Sequence, residues 1–184
     1  MINRIFRVFR LDATVFKEIA EDKGAMSQAA IVVVVVFFLS ALGGAIGTAI
    51  AGGSGAILSF FVTFLSGILI SWLLWSVLTY FVGTLLFKGK TDIPEMMRVL
   101  GFSCAPNILG IFSAIPCVGW IAALAGGILA LIAGVIAVRE AMEFDTGKAV
   151  ITVLIAWVIS FVLALVIGLV LGAGAAVGSS LTGG

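Results

Sequence analysis

Charged residues occur in three short segments of this chain, and the stretches between and after them stay uncharged for longer than a lipid bilayer is thick. The charges run from Arg4 to Lys23, from Lys88 to Arg98 and from Arg139 to Lys148, leaving residues 24–87, 99–138 and 149–184 without any. A membrane helix needs about 20 mostly apolar residues, so these stretches hold roughly two, two and one spans. The pattern predicts an all-α fold, a polytopic membrane bundle of about five transmembrane helices preceded by an N-terminal amphipathic interfacial helix. The β-branched run Ile31 to Val36 does not change this. A lone strand cannot satisfy its backbone in lipid, whereas a helix does so internally.

Within the first segment, Ile2, Ile5, Phe6 and Phe9 recur at helical spacing with Arg4, Arg7 and Arg10 beside them. That is the pattern of a basic amphipathic helix lying on anionic headgroups. Asp12 caps a second short helix with Val15, Phe16, Ile19 and Ala20 on one side, and Gly24 ends it. The expected domains are therefore a cytoplasmic amphipathic lead over 1–25, a five-span membrane domain over 26–172 and a flexible extracytoplasmic tail over 173–184. The first span covers residues 28–50 and the second, over 57–87, is long enough to tilt. Asp92-Ile93-Pro94-Glu95 caps the third, and Arg98 is placed to snorkel from its start. Pro106 predicts a kink or partial break there. Residues 99–138 read either as two short spans turning at Pro116 and Gly119, with Trp120 at the outer interface, or as a re-entrant hairpin.

Small residues recur every four positions in several spans. Ser40, Gly44 and Thr48 form one row of the first span and Gly43 and Gly47 the next. The fourth span carries Gly119, Ala123 and Gly127 beside Gly126, Ala130 and Gly134, and the fifth carries Ala164, Gly168, Gly172 and Ala176. Such rows let helix backbones approach closely, within one chain or between copies, so a homo-oligomer is compatible with them.

Composition agrees with the membrane assignment: 62% of residues are hydrophobic and 10% charged, against about 45–50% and about 25% in an ordinary soluble domain. The basic residues number five, three and two in the successive segments. All lie on one face if an even number of spans separates the segments, and that face is cytoplasmic. The N-terminus is then inside and the C-terminus outside, in a prokaryotic type of cell membrane. With a net charge of +1 and acids mixed among the bases, nothing resembles a nucleic-acid footprint. The polar lead before a long apolar run argues against a cleaved signal peptide, so the first span is expected to be retained. Cys104 and Cys117 are too far apart along one helix to pair.

The chemistry that is missing narrows function further. The chain has no histidine, and its two separated cysteines do not build a metal site. No ionisable group lies deep in a predicted span, where proton relays and ion-coupled carriers place theirs. The expectation is a non-enzyme with no catalytic residue, cofactor or metal. Ser76, Thr79, Tyr80 and Thr84 share one face of the second span. They form a possible polar path, or else bond to their own backbone and to neighbouring helices.

The sequence Phe16-Lys17-Glu18-Ile19-Ala20-Glu21-Asp22, the five spans, and Gly101, Phe102 and Pro106 at the start of the third span together resemble the Yip (Ypt-interacting protein) family, especially its short bacterial and archaeal members. Phe102 stands where the family's glycine-tyrosine-x-x-x-proline motif has tyrosine. The junction Val138-Arg139-Glu140-Ala141 is also family-like, and the likeness spans residues 9–171. The resemblance implies a five-helix membrane domain with a cytoplasmic N-terminus. In eukaryotic members it implies vesicle traffic, binding of prenylated Rab GTPases and shaping of internal membranes. This chain lacks their long cytoplasmic region and the aspartate-leucine-tyrosine-glycine-proline motif before the first span, so Rab binding is not carried over.

The functional expectation is a non-enzymatic protein that organises or shapes membrane, or scaffolds a partner, through its cytoplasmic face, with membrane lipid and a cytoplasmic protein as partners. The alternative is a channel or carrier for a small molecule or lipid. Cysteine placed at Ser54 or Ser179 is expected to react with an impermeant thiol reagent added to intact cells, and cysteine at Lys90 only after lysis. Protection of both outer sites together with reaction at position 90 would reverse the topology.

Overall fold

The computed structural model describes the backbone of residues 1–115 and 117–182, and the side chains of 1–115, 117–163, 165 and 166. Two short helices, α1 (Ile2–Phe9) and α2 (Ala13–Glu21), lead into α3 (Ala25–Ile50), the first span. The second combines α4 (Ala56–Ile68), a π-helical segment (Leu69–Leu74) and α5 (Trp75–Phe87). The third joins α6 (Ile93–Ser103) to a 3-10 segment (Ala105–Ala114), and α7 (Gly119–Ala141) and α8 (Thr146–Thr182) follow. The described residues contain no strand.

Four helical stretches are long and apolar enough to cross a membrane: Ala25–Ile50, Ala56–Phe87, Gly119–Ala141 and Thr146–Leu163. The third-span pair is bent by 43°, and counting it as one crossing brings the total to five. The bend follows from Pro106, which has no N–H to donate and disfavours helical backbone at Ala105. Asp92 caps the span as its sequence suggests, accepting from the Glu95 N–H at 2.7 Å. Beyond the bend the chain tightens into a 3-10 segment, which rises about 2.0 Å per residue instead of about 1.5 Å. The pair has eleven α-helical and ten 3-10 residues, and its bend makes it either one broken span or a re-entrant loop.

Runs of 3-10 helix longer than one turn are uncommon because their hydrogen bonds are poorer. This one is held between α3 and α7. A β-carbon on Gly43 would strike the Ile111 carbonyl, and one on Gly47 would lie 2.5 Å from the Ser113 oxygen. From the other side, a β-carbon on Gly126 would come within 2.7 Å of the Pro106 oxygen. Ser40 Oγ donates to the Asn107 carbonyl at 2.8 Å, tying α3 to the 3-10 segment. Gly44 and Gly127, one position along, meet nothing within 4 Å. Adjacent glycines thus differ: Gly43, Gly47 and Gly126 serve packing within the chain, Gly44 and Gly127 face outward, and Ser40 and Gly119 from the rows of those two still meet the 3-10 segment. Pro116, the side chains of the row from Ala164 to Ala176 and those of the tail over 173–184 lie outside the described residues.

This packing predicts a sharp contrast between adjacent glycines. Gly126→Leu is expected to destabilise the protein by about 1–3 kcal/mol or more through overpacking against backbone, whereas Gly127→Leu stays near wild type. Thermal unfolding in detergent measures the difference, and equal melting temperatures would refute the arrangement.

Candidate functional site

The lead is part of the bundle. Val8, Val15, Phe16 and Ile19 are fully buried in one cluster with Met96, Val99 and Phe102 of α6 and with Ala137, Val138 and Ala141 of α7. Each side chain of this size contributes about 1.5–3 kcal/mol when removed from water. Exposed ion pairs contribute about 0–1 kcal/mol each, so burial holds the lead in place and its charges set the local geometry. Leu11 joins the two helices with φ of 56°, a left-handed turn that folds α1 back onto α2, and its side chain packs against the same cluster.

Two basic residues of the lead, Arg4 and Arg7, meet carboxylates. Arg7 bonds Asp12 at 2.8 Å, Glu18 at 2.7 Å and the Thr14 hydroxyl at 2.7 Å, while Arg4 pairs with Asp22 at 2.9 Å. Asp12 also caps α2 by accepting from the Thr14 N–H. The Arg7 guanidinium, aided by both Thr14 donors, pushes the Asp12 carboxyl down to about 2. Arg4, with the Gly24 N–H, likewise lowers that of Asp22. Arg10 remains exposed. The apolar stripe of α1 divides: Ile5 and Phe9 pack against the cluster, whereas Ile2 and Phe6 are 67% and 64% exposed.

Arg98 departs from the snorkelling expected of it. It is buried, and its Nη2 donates to the Ala20 carbonyl at 2.7 Å, while Nε has no protein partner among the described residues. That carbonyl is one of the acceptors left open at the C-terminal end of α2, where a cation also complements the helix dipole. Position 98 reads as an interfacial base only while the lead is taken to lie apart from the spans. Once α2 covers the third span, the nearest acceptor is protein.

Gly101, Phe102 and Pro106 lie together where α6 meets its neighbours. A β-carbon on Gly101 would fall 2.9 Å from the Ala29 methyl and 3.0 Å from Trp72 Nε1. Trp72 Nε1 donates to the Met97 carbonyl at 2.9 Å, tying the second span to the third. Phe102 is fully buried and Pro106 is buried at the break. The glycine thus permits a contact, the aromatic ring fills the cluster beneath the lead, and the proline ends α6. Trp72 escaped the motif-based reading, although a tryptophan at mid-span was its signal.

The hydroxyl stripe of the second span forms local bonds. Thr79 donates to the Trp75 carbonyl at 2.7 Å and Thr84 to that of Tyr80 at 2.8 Å. Ser76 is fully buried with no partner for Oγ, and Tyr80 packs partly against the main cluster. None of the four lines the membrane-embedded cavity described below.

At the charged end of the bundle, all three charged segments converge on one cleft of about 260 Å³. Lys17 and Glu21 come from α2, Lys90 and Glu95 from the middle segment, and Arg139 and Glu140 from the end of α7. Arg139 forks onto Glu140 at 2.7 and 3.0 Å. The described residues contain no group of three or more His, Cys, Asp or Glu that could hold a metal ion.

A family model described as the Yip1 domain matches residues 6–168, from the lead through the fifth span. The chain belongs to the Yip1 domain family. It is an integral membrane protein whose match takes in the docked lead, the Gly101-to-Pro106 junction and the Arg139–Glu140 end of α7. Comparison with curated proteins and with solved structures finds no significant match.

Arg98→Met keeps side-chain length and removes the donors, and a hydrogen bond from a charged group is worth about 1.5–3 kcal/mol. Amide exchange over Val15 to Ala20 is therefore expected to accelerate about tenfold or more. Unchanged exchange in α2 would show that Arg98 does not hold the lead.

Proposed function

We propose that this Yip1 domain protein is a non-enzymatic organiser of membrane, shaping the bilayer or scaffolding a protein partner from its cytoplasmic face. The observation that carries this reading is the divided lead: one side is built into the bundle, and the other holds Met1, Ile2 and Phe6 exposed beside Arg10. An apolar wedge fixed to a rigid membrane domain inserts at headgroup depth without first paying the ordering entropy of a free tail. Lysine and arginine distribution supports a cytoplasmic N-terminus and an outer C-terminus, and the resemblance to short bacterial and archaeal family members supports a prokaryotic cell membrane. Membrane lipid is then the first partner. The cleft shared by the three charged segments is the surface for a cytoplasmic protein, and the outward Gly44 and Gly127 leave room for a second copy.

A carrier using Ser76, Thr79, Tyr80 and Thr84 gains no support, since two of these hydroxyls are committed to their own helix.

The test is a double substitution on the exposed wedge, Ile2→Glu with Phe6→Glu, which leaves the buried side of the lead intact. Reconstituted into anionic liposomes, wild type is expected to change vesicle diameter or tubulation with protein density, and the variant to lose most of that effect at unchanged melting temperature. Identical vesicle shapes and identical co-purifying proteins for the two would refute the reading.

A further inference from the structure

The second and third spans both leave the α-helical ladder beside one cavity of about 290 Å³ among the last four spans. The π segment contributes Ser71, at the middle of Ala56–Phe87, and the bend contributes Cys104 and Asn107. Irregular backbone at membrane depth is tolerated where protein buries it or where it lines a cavity, and π-helical insertions recur at functional sites.

Three polar groups of the wall are bonded or closed off. Ser160 donates to the Ala156 carbonyl at 2.8 Å, the Cys104 thiol approaches the Ser71 carbonyl at 4.0 Å, and Trp75 Nε1 is sealed within the packing. The Asn107 carboxamide and the Ser71 hydroxyl are neither: Asn107 is half-buried, Ser71 is exposed, and no protein group among the described residues bonds their side chains. The contacts these two residues do make across the bundle use their backbone carbonyls. A carboxamide presents two donors and an acceptor, and a hydroxyl both donates and accepts. In hydrocarbon such groups are costly to leave unpaired. An occupant that only accepts leaves the Asn107 oxygen open, one that only donates leaves its amide open, and a charged one finds no counter-charge on the wall. A hydroxyl meets both needs from one atom. Water does so too, but its remaining bonds would face Ile70, Leu131 and Phe161, where an alcohol places hydrocarbon.

The mouth indicates how an occupant arrives. Trp157 and Phe161 stack at 5.8 Å with 17° between their planes, both are exposed, and Gly127 meets nothing within 4 Å. These residues belong to the surface that lipid contacts at mid-span, and Trp157 adds an indole donor there. We propose that this cavity binds an uncharged, lipid-soluble alcohol, a single hydroxyl on a hydrocarbon body. It enters laterally from the bilayer, exchanges hydrogen bonds with the Asn107 carboxamide on the wall shared with Ser71, and lays its body along Trp157 and Phe161. The site lies away from the charged cleft and goes beyond the organising role.

Native mass spectrometry of the full chain in phosphatidylcholine nanodiscs tests the assignment with three probes of closely matched body: farnesol, its methyl ether and the hydrocarbon farnesene. Wild type is expected to take up one farnesol per chain saturably. The ether, which accepts but does not donate, should bind about threefold to tenfold more weakly, and farnesene should give no saturable adduct. Asn107→Leu should bind farnesol and the ether alike. Gly127→Leu, which fills the open side of the cavity without meeting protein, should bind neither saturably. Equal loading of wild type by farnesol and its ether would overturn the proposal, as would an Asn107→Leu protein that keeps the wild-type preference. So would the absence of a saturable farnesol adduct, which leaves the cavity to water, or a phospholipid adduct that persists at saturating farnesol, which leaves it to an acyl chain. Should Asn107→Leu fold poorly, the comparison of the three probes on wild type still decides.

Discussion

Backbone hydrogen bonds cannot be handed to water inside a bilayer, and the placement of every irregular segment here answers to that. Each span satisfies its own N–H and C=O groups as a helix, and the 3-10 departure lies where other parts of the chain cover it. The 3-10 segment is held between α3 and α7, with Ser40 of α3 bonding the Asn107 carbonyl. Gly43, Gly47 and Gly126 let the two flanking backbones close over it. Pro106 makes the break, and the glycines on either side make it tolerable.

A different force acts at the charged end of the bundle. Between spans there is no hydrophobic gain, because lipid tails are as apolar as leucine, so contact there depends on small residues and on bonds such as that from Trp72 to Met97. The lead faces water, and burying Val15, Phe16 and Ile19 against α6 and α7 is favourable in the ordinary way. Arg98 joins the two regimes by reaching from the third span to the last turn of α2. The family motif sits directly beneath, with Phe102 in the core that the lead covers and Gly101 against the second and first spans.

This arrangement gives the charged face a fixed shape. Arg4 and Arg7 are neutralised by Asp22, Asp12 and Glu18, leaving exposed apolar groups with Arg10 on α1 and the exposed Lys17, Glu21 and Lys23 beyond it as the lead's outward chemistry. Asp12 and Asp22 are held ionised well below neutral pH by these same arginines, so the pairing is constant at cytoplasmic pH. A partner or headgroup meets a preformed surface in which α2, the middle segment and the end of α7 all take part.

The membrane class, the number of uncharged stretches, the Asp12 and Asp92 caps and the break near Pro106 were legible in the order of residues. Each depends on local rules: segment length against bilayer thickness, a side-chain acceptor at a helix start, and an absent N–H. Periodicity also marked the small-residue rows, yet it assigns the same signal to Gly126 and Gly127. Only the neighbouring backbone separates the one that a side chain would disrupt from the one facing outward. The same holds for the arginines, whose spacing suits headgroups as well as it suits Asp12, Glu18 and Asp22. Arg98 looked interfacial because nothing local to it announces that α2 lies overhead. Those outcomes depend on contacts between residues distant along the chain, such as the 78 positions separating Ala20 from Arg98, and a pattern read within one turn of helix carries no information about them.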